Sequence, residues 1–278
     1  MSRTGDKFRL DDYQIVNGCQ TSNILFECRN NIDGVYIPLR IIGSQDSEFI
    51  SGIIIGTNKQ NAVKDEQFWA LKPFMKDLEE YCRNQGDEKN IFIERRDYQY
   101  RDEPIERTRI IKPREIMKAV AAMFLFQPNR AARDYRGILG EFEGKIFQED
   151  HSVQLYHCAS LASYKFDFSV RNQRFDSSWR IYKYYAIYAL GLDATGDADI
   201  FSAHKKKQEN ICKSIIDLIV DENQFIGHVK KVASILDKMI VDEGEKTREQ
   251  IRDSLRSETF AGKFKTIYLS TSSEPPPI

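Results

Sequence analysis

The chain has 278 residues, of which 41% are hydrophobic and 30% are charged. This length suits one large or two ordinary domains, and the hydrophobic content is sufficient for a packed core. The net charge of −1 excludes an overall electrostatic attraction to nucleic acid or membranes, so any such surface must be local. No apolar run approaches the length of a membrane span and no signal peptide opens the chain, which favours a cytoplasmic protein.

The first part of the chain, residues 1–112, predicts a small mixed α/β core. Short apolar runs indicate strands, and apolar residues at helical spacing indicate helices between them. Ile24 and Leu25 are expected to face the core, and Pro73 fits the first turn of its helix, where no amide donor is needed. In chain order the predicted elements are a strand at 13–16, a helix at 21–28, a strand at 36–42, helices at 47–55, 65–71 and 73–83, and two strands around a polar hairpin at 91–95 and 107–111.

The remainder of the chain predicts a mainly α-helical domain over residues 113–269, so the expected fold class is α+β. Residues 270–278 form a Ser/Pro-rich segment that is typical of a disordered tail. The predicted helices of this second domain cover residues 113–126, 153–164, 177–190, 209–220, 224–241 and 247–256.

The cysteines and histidines are scattered. There are five cysteines and four histidines, and no pair of cysteines has C-x-x-C spacing. An odd number of dispersed cysteines favours reduced thiols over a disulfide framework or a zinc site. The sequence therefore predicts neither a metal site nor a cofactor.

Two turns rich in carboxamide side chains follow or open short apolar segments in the first part of the chain. The Asn17-Gly18 pair suits a sharp turn with positive φ, and a helix is expected to begin just after it. Asn and Gln exchange hydrogen bonds but cannot transfer protons near pH 7, so the pattern favours ligand binding over acid–base chemistry. The alternative is a turn whose side chains only brace each other. The predicted polar pocket comprises Asn17, Gly18, Gln20, Thr21, Arg40, Thr57, Asn58, Gln60 and Asn61.

These turns carry a resemblance to the AIPR family, the abortive-infection phage-resistance proteins. Residues 16–21 match a V-N-G-x-Q-T turn and residues 57–63 match a T-N-x-Q-N-x-V segment. A Pro-led strand at 37–42, a Pro-Phe helix pair at 68–74 and a Tyr/Arg-rich strand at 93–101 occur in the family's order. The resemblance implies a role in phage defence. It also implies a longer protein, because family members carry a further N-terminal region that would be a partner of this part and could house catalysis.

The same order of elements also resembles, more loosely, the DGQHR and ParB-like nucleotide-binding folds. In those folds a glycine turn and a following Arg hold nucleotide phosphates. Here the position of that Arg is occupied by Thr21. The resemblance therefore implies a ParB-like arrangement of the α/β core and leaves nucleotide binding as a hypothesis.

A cluster of basic residues, interleaved with Tyr98 and Tyr100, ends the first part of the chain. Arg and Tyr together can contact phosphates and stack on bases. Strand alternation would place Arg107 and Arg109 on one face. The alternative is a solvated edge strand protected by its charges. The predicted nucleic-acid-binding residues are Arg95, Arg96, Arg101, Arg107, Arg109, Lys112 and Arg114.

The sequence thus favours a phage-defence fragment that binds nucleic acid or a nucleotide through the polar pocket and the adjoining basic surface. One alternative is a metal-dependent nuclease, which needs an acidic residue on one strand and an E-x-K sequence on the next. Glu143-Gly144-Lys145 matches the E-x-K sequence, but no paired strand is predicted upstream of it. Another alternative is an interaction scaffold that senses a phage component. The pocket hypothesis further predicts that Gln20 and Asn58 lie at one cleft.

Overall fold

The computed structural model describes residues 2–4, 7–9, 13, 15–16, 18–44, 49–50, 53, 72–96, 98–133, 144–244 and 247–272. The chain divides into two compact units, an N-terminal unit, Met1–Phe68, and a helical unit, Trp69–Ile278. The predicted helix at 65–71, most of the one at 47–55 and the tail beyond Ser272 lie outside the described residues. Among the described residues, no helix combines the length and apolarity needed to cross a membrane.

In the N-terminal unit, the structure confirms the glycine turn and the helix that follows it. Strand β1 (Ser2–Thr4) pairs antiparallel with β2 (Lys7–Arg9), a hairpin that the sequence did not predict. Helix α1 (Cys19–Glu27) begins directly after Gly18, whose φ of 97° is in the left-handed region. This is the conformation that glycine adopts without a steric penalty.

The strand predicted at 36–42 is wrong, because these residues have no regular secondary structure. The side chains of Tyr36 and Leu39 are 94% and 82% exposed, and Ile24 of α1 is 60% exposed rather than in the core. The described residues of the strand predicted at 13–16 also lack regular structure. An apolar run shows only that a segment could pair, whereas a strand exists only where a neighbouring backbone accepts its hydrogen bonds.

The helical unit contains most of the helices that the sequence predicts. The predicted helix at 153–164 continues to residue 171, and the one at 177–190 begins as a 3₁₀ helix, Ser177–Tyr182. The last helix was not predicted, and it extends into the segment assigned to the tail. The helices are α2 (Pro73–Arg83), α3 (Pro113–Met123), α4 (Pro128–Ala131), α5 (Val153–Arg171), α6 (Lys183–Thr195), α7 (Lys205–Val220), α8 (Glu222–Asp242), α9 (Arg248–Leu255) and α10 (Glu258–Ser272).

A short parallel strand pair replaces the predicted hairpin. Strand β3 (Phe92–Ile93) pairs with β4 (Ile110–Ile111), with Phe92 opposite Ile110. The residues just before β4, Arg107–Arg109, form a 3₁₀ turn rather than a strand. Arg107 and Arg109 therefore do not share the face of a strand, and the stripe predicted from alternation is wrong.

The core of the helical unit is built around α3 and α5. Eight of the 11 residues of α3 are buried, and α3 packs against both α5 and α6. Helix α2 buries Phe74, Met75, Leu78 and Cys82 and packs on α5. Consequently α2, β3 and β4 belong to the helical unit, whereas the sequence placed its domain boundary at residue 112.

Helices α3 and α6 approach closely at one glycine. A Cβ atom added to Gly191 of α6 would lie 2.0 Å from the backbone oxygen of Met123 at the end of α3. No side chain larger than hydrogen can occupy this position unless the two helices separate. The exposed Gly227 of α8 offers a contrast, since a Cβ there would meet no atom within 4 Å.

We expect Gly191→Ala to lower the free energy of unfolding by at least about 2 kcal/mol, because the new methyl group would force the helices apart. The matched control, Gly227→Ala, should raise the free energy of unfolding by roughly 0.5–1 kcal/mol, because alanine favours an open helical site. Urea titration followed by circular dichroism measures both changes. Similar effects of the two substitutions would contradict the close approach.

Candidate nucleic-acid interface

The seven predicted basic residues differ in their burial and in their contacts within the helical unit. Arg95, Arg109 and Lys112 have carboxylate or carbonyl partners within the helical unit. Lys112 lies 3.4 Å from a carboxylate oxygen of Glu94. Lys112 is nevertheless exposed, and so are the remaining four residues, Arg96, Arg101, Arg107 and Arg114.

Arg109 fastens the 3₁₀ turn to the loop before β3. Its Nη1 donates to the backbone oxygens of Asp87 at 2.7 Å and Asn90 at 3.0 Å, and also to the side-chain oxygen of Asn90. The guanidinium lies 5.3 Å from the ring centre of Tyr164 in α5. These contacts give Arg109 a structural role, and the phosphate contact that the sequence predicts for it stays a prediction.

The carboxylate of Glu79 in α2 organises the segment that follows β3. Its Oε2 lies 2.5 Å from Nε of Arg95, and its Oε1 accepts hydrogen bonds from the side-chain amide of Gln99 and, at 2.9 Å, from the hydroxyl of Tyr100. The side chains of Arg95 and Glu79 are only 15% and 14% exposed. One largely buried carboxylate therefore has three donors, which offset the cost of removing it from water.

Two further contacts make this segment rigid. The side-chain oxygen of Gln99 accepts from the backbone amides of Arg95 at 3.0 Å and Arg96 at 3.3 Å. Burial raises the pKa of the Tyr100 hydroxyl, and the hydrogen bond to Glu79 raises it further. Tyr100 therefore remains a protonated donor to the carboxylate throughout the physiological pH range.

A tight turn that contains residues 96 and 98–101 follows this anchor, and we call it the Arg-Tyr turn; residue 97 lies outside the described residues. The amide of Gln99 donates to the carbonyl of Arg96, and the amide of Arg101 donates to that of Tyr98, each at 3.1 Å. Tyr98 has a φ of 63°, a conformation that costs roughly 1–2 kcal/mol for residues other than glycine. Its side chain is 78% exposed and therefore contributes little core burial to compensate for this cost.

The exposed arginines on and beside this turn are available to a ligand. Within the described ranges, no ion pair or side-chain hydrogen bond engages Arg96, Arg101 or Arg107. Two nearby acids have other partners, since Glu103 pairs with Arg83 at 3.1 Å and Glu106 lies 3.5 Å from Arg109. This stretch of the chain thus carries three exposed arginines and one exposed aromatic ring.

The polar pocket predicted in the N-terminal unit is only partly described. Gly18 forms the expected turn, and the hydroxyl of Ser22 donates to its carbonyl at 3.1 Å. Thr21 and Arg40 are exposed. The convergence of the two carboxamide turns stays a prediction, because most of the groups that form them lie outside the described residues. These groups are Asn17, Thr57, Asn58, Gln60, Asn61 and the side chain of Gln20.

The described residues offer no metal-binding cluster. No group of three or more His, Cys, Asp or Glu side chains among them could hold a metal ion. The buried His157 and His228 lie 2.7 Å and 2.9 Å from the backbone carbonyls of Lys89 and Ala186, and burial lowers the pKa of both rings. Both histidines are therefore neutral donors within the core. Glu143 of the E-x-K sequence lies outside the described residues.

Sequence analysis missed Glu79 as the residue that positions the Arg-Tyr turn. A signal was present, because Met75, Leu78 and Cys82 mark the buried face of α2, and Glu79 lies one helical turn after Met75 on the border of that face. A carboxylate at such a position requires a donor from elsewhere in the chain. The sequence could indicate this need but could not identify the donors.

We expect Glu79→Ala to lower the free energy of unfolding by about 2–4 kcal/mol, because it leaves the buried Arg95 guanidinium without its carboxylate. The control is Glu103→Ala, which removes the exposed pair with Arg83 and should change stability by less than about 1 kcal/mol. Chemical denaturation compares the two variants. Equal losses would show that the Glu79 contacts do not hold the turn.

The match to a protein-family model spans both units of the chain. The model of the AIPR protein family matches residues 2–236, from β1 in the N-terminal unit to within α8 of the helical unit. Neither curated proteins nor solved structures include a significant match to the chain. The resemblance to DGQHR and ParB-like folds gains no support from these comparisons, and the ParB-like arrangement of strands is not confirmed.

Proposed function

Because the chain belongs to the AIPR family, we propose that it acts in phage defence as a nucleic-acid-binding protein. Family membership supports a role in abortive infection. The binding activity is supported by the exposed arginines of the helical unit. With a net charge of −1, the chain has no general attraction for polyanions, so such a local surface has to supply it.

The observation that carries the proposal is the division of the basic cluster. A cluster that served only the fold would pair its cations internally, as Arg95 and Arg109 do. Arg96, Arg101 and Arg107 are instead exposed, and the first two belong to the same turn as the exposed Tyr98. Arginine is suited to phosphate because its planar guanidinium donates two parallel hydrogen bonds.

A second part of the proposal concerns the polar turn of the N-terminal unit. We infer that this turn receives a nucleotide-type ligand through Asn17, Gln20, Asn58 and the backbone near Gly18. Its support is the left-handed Gly18 at the start of α1, together with the carboxamide chemistry of both turns. Titration of labelled nucleotides against Asn58→Ala tests this part, and unchanged binding would oppose it.

The alternatives from the sequence receive no specific support. The described residues contain no metal cluster that would favour a nuclease. A protein-sensing scaffold would need an apolar docking face, and among the described residues of the helical unit the large exposed hydrophobic side chains, Tyr98, Val241 and Ile267, come from separate elements. Nucleic-acid binding is therefore the function that the described surface supports best.

We predict that Arg101→Ala and Arg107→Ala each weaken the binding of unrelated DNA and RNA sequences to a similar degree. The plot of log affinity against log salt has a negative slope, and each lost phosphate contact should make it less steep by about 0.9 for a duplex. Fluorescence anisotropy at several salt concentrations measures both quantities.

Two control variants separate surface charge from structure. Arg252→Ala removes an exposed arginine on α9 and should leave affinity and salt slope unchanged. Arg109→Ala should chiefly reduce stability, since Arg109 holds the loop at Asp87 and Asn90. If Arg101→Ala and Arg107→Ala behave like Arg252→Ala, the arginines are only a solvated surface and the proposal fails.

A further inference from the structure

Folding alone does not explain the tyrosine at position 98. Its backbone has a φ of 63° at the third residue of the turn formed by residues 96–99, a place where glycine or asparagine is normally selected. The ring is 78% exposed, and within the described ranges it makes no ring contact and no side-chain hydrogen bond. A bulky aromatic side chain at this position has a physical reason only if something outside the chain contacts it.

The surroundings of Tyr98 indicate what that contact is. Arg96 and Arg101 are exposed residues of the same turn, and the turn hydrogen bonds keep the Cα atoms of residues 96 and 99, and of residues 98 and 101, within about 7 Å of each other. An exposed ring that shares a tight turn with two cations matches an unpaired base and its adjoining phosphates, because every base has a π-face and each strand phosphate carries a negative charge.

The turn is also rigid enough to act as a platform. Gln99 and Tyr100, the residues that follow Tyr98, are fastened to the Glu79 carboxylate. The ring therefore stands on a backbone that is fixed before any ligand arrives, which lowers the entropy lost on binding. A platform of this kind distinguishes strand types, since a duplex exposes base faces only at its ends, whereas a single strand exposes them along its length.

We propose that the Arg-Tyr turn recognises unpaired bases, with Tyr98 stacking on a base and Arg96 and Arg101 contacting the adjoining phosphates. The chain then binds single-stranded nucleic acid in preference to a duplex of the same sequence. This inference rests on the proposed function and adds the class of ligand. The arginines favour a polyanion over an apolar protein surface, so a protein partner for this turn is the less suited occupant.

The test compares Tyr98→Phe and Tyr98→Asn with the unaltered chain. Phenylalanine retains a ring that can stack, whereas asparagine tolerates positive φ and removes the ring without disturbing the turn. Binding is measured by anisotropy with a single-stranded DNA, a single-stranded RNA and a duplex. Circular dichroism and denaturation confirm that both variants fold as the unaltered chain does.

We expect Tyr98→Asn to weaken single-strand binding by about 5- to 150-fold, which corresponds to the loss of one base stacked on an aromatic ring. Binding of the duplex should change little. Tyr98→Phe should bind as the unaltered chain does. A loss confined to the DNA or the RNA strand also supports the inference and identifies the preferred sugar.

The failures of the two proposals differ. If the chain binds nucleic acid but Tyr98→Asn changes single-strand and duplex affinity equally or not at all, stacking by Tyr98 is overturned while the proposed function stands. If the unaltered chain binds none of the three probes, the proposed function itself is overturned. A protein partner that binds through Tyr98 would then show that the ligand of this turn is not a nucleic acid.

Discussion

The close approach of α6 to α3 is the constraint on which the helical unit depends. Gly191 lies so near the carbonyl of Met123 that a single Cβ atom could not be accommodated. Helix α5 packs against both of these helices, and α2 packs on α5. Since α2 carries Glu79, the position of the Arg-Tyr turn follows from this packing. Packing in the core therefore positions α2, and the Glu79 carboxylate on α2 then positions the candidate site.

Neighbouring residues of the same charge have opposite roles in this arrangement. Arg95 is largely buried against Glu79, whereas the next residue, Arg96, is exposed. The buried pair fixes where the chain leaves β3, and the tight turn that follows directs Tyr98 away from the core. A stabilising contact and a proposed ligand contact thus belong to adjacent side chains, so a basic cluster of this kind could serve both purposes without a net positive charge.

Sequence patterns predicted the features that local physics determines. The Gly18 turn, the helix started by Pro73 and most helices of the second part have signals within a few residues of themselves. The strand at 36–42 failed because pairing depends on a distant backbone. The structural contacts of Arg109 were equally hidden, since its partners at Asp87 and Asn90 are some twenty residues away in the sequence. Such contacts between residues far apart in the sequence decide whether a charged side chain stabilises the fold or is available to bind a ligand.

The most direct measurement of the central claim is photochemical cross-linking of the chain to a single-stranded oligonucleotide, followed by trypsin and mass spectrometry. Trypsin cleaves after Arg96 and after Arg101, so the peptide 97–101 isolates the exposed Tyr98 together with the buried Tyr100. We predict an adduct on this peptide that fragmentation assigns to Tyr98. Adducts located only on other peptides, with 97–101 unmodified, would contradict it.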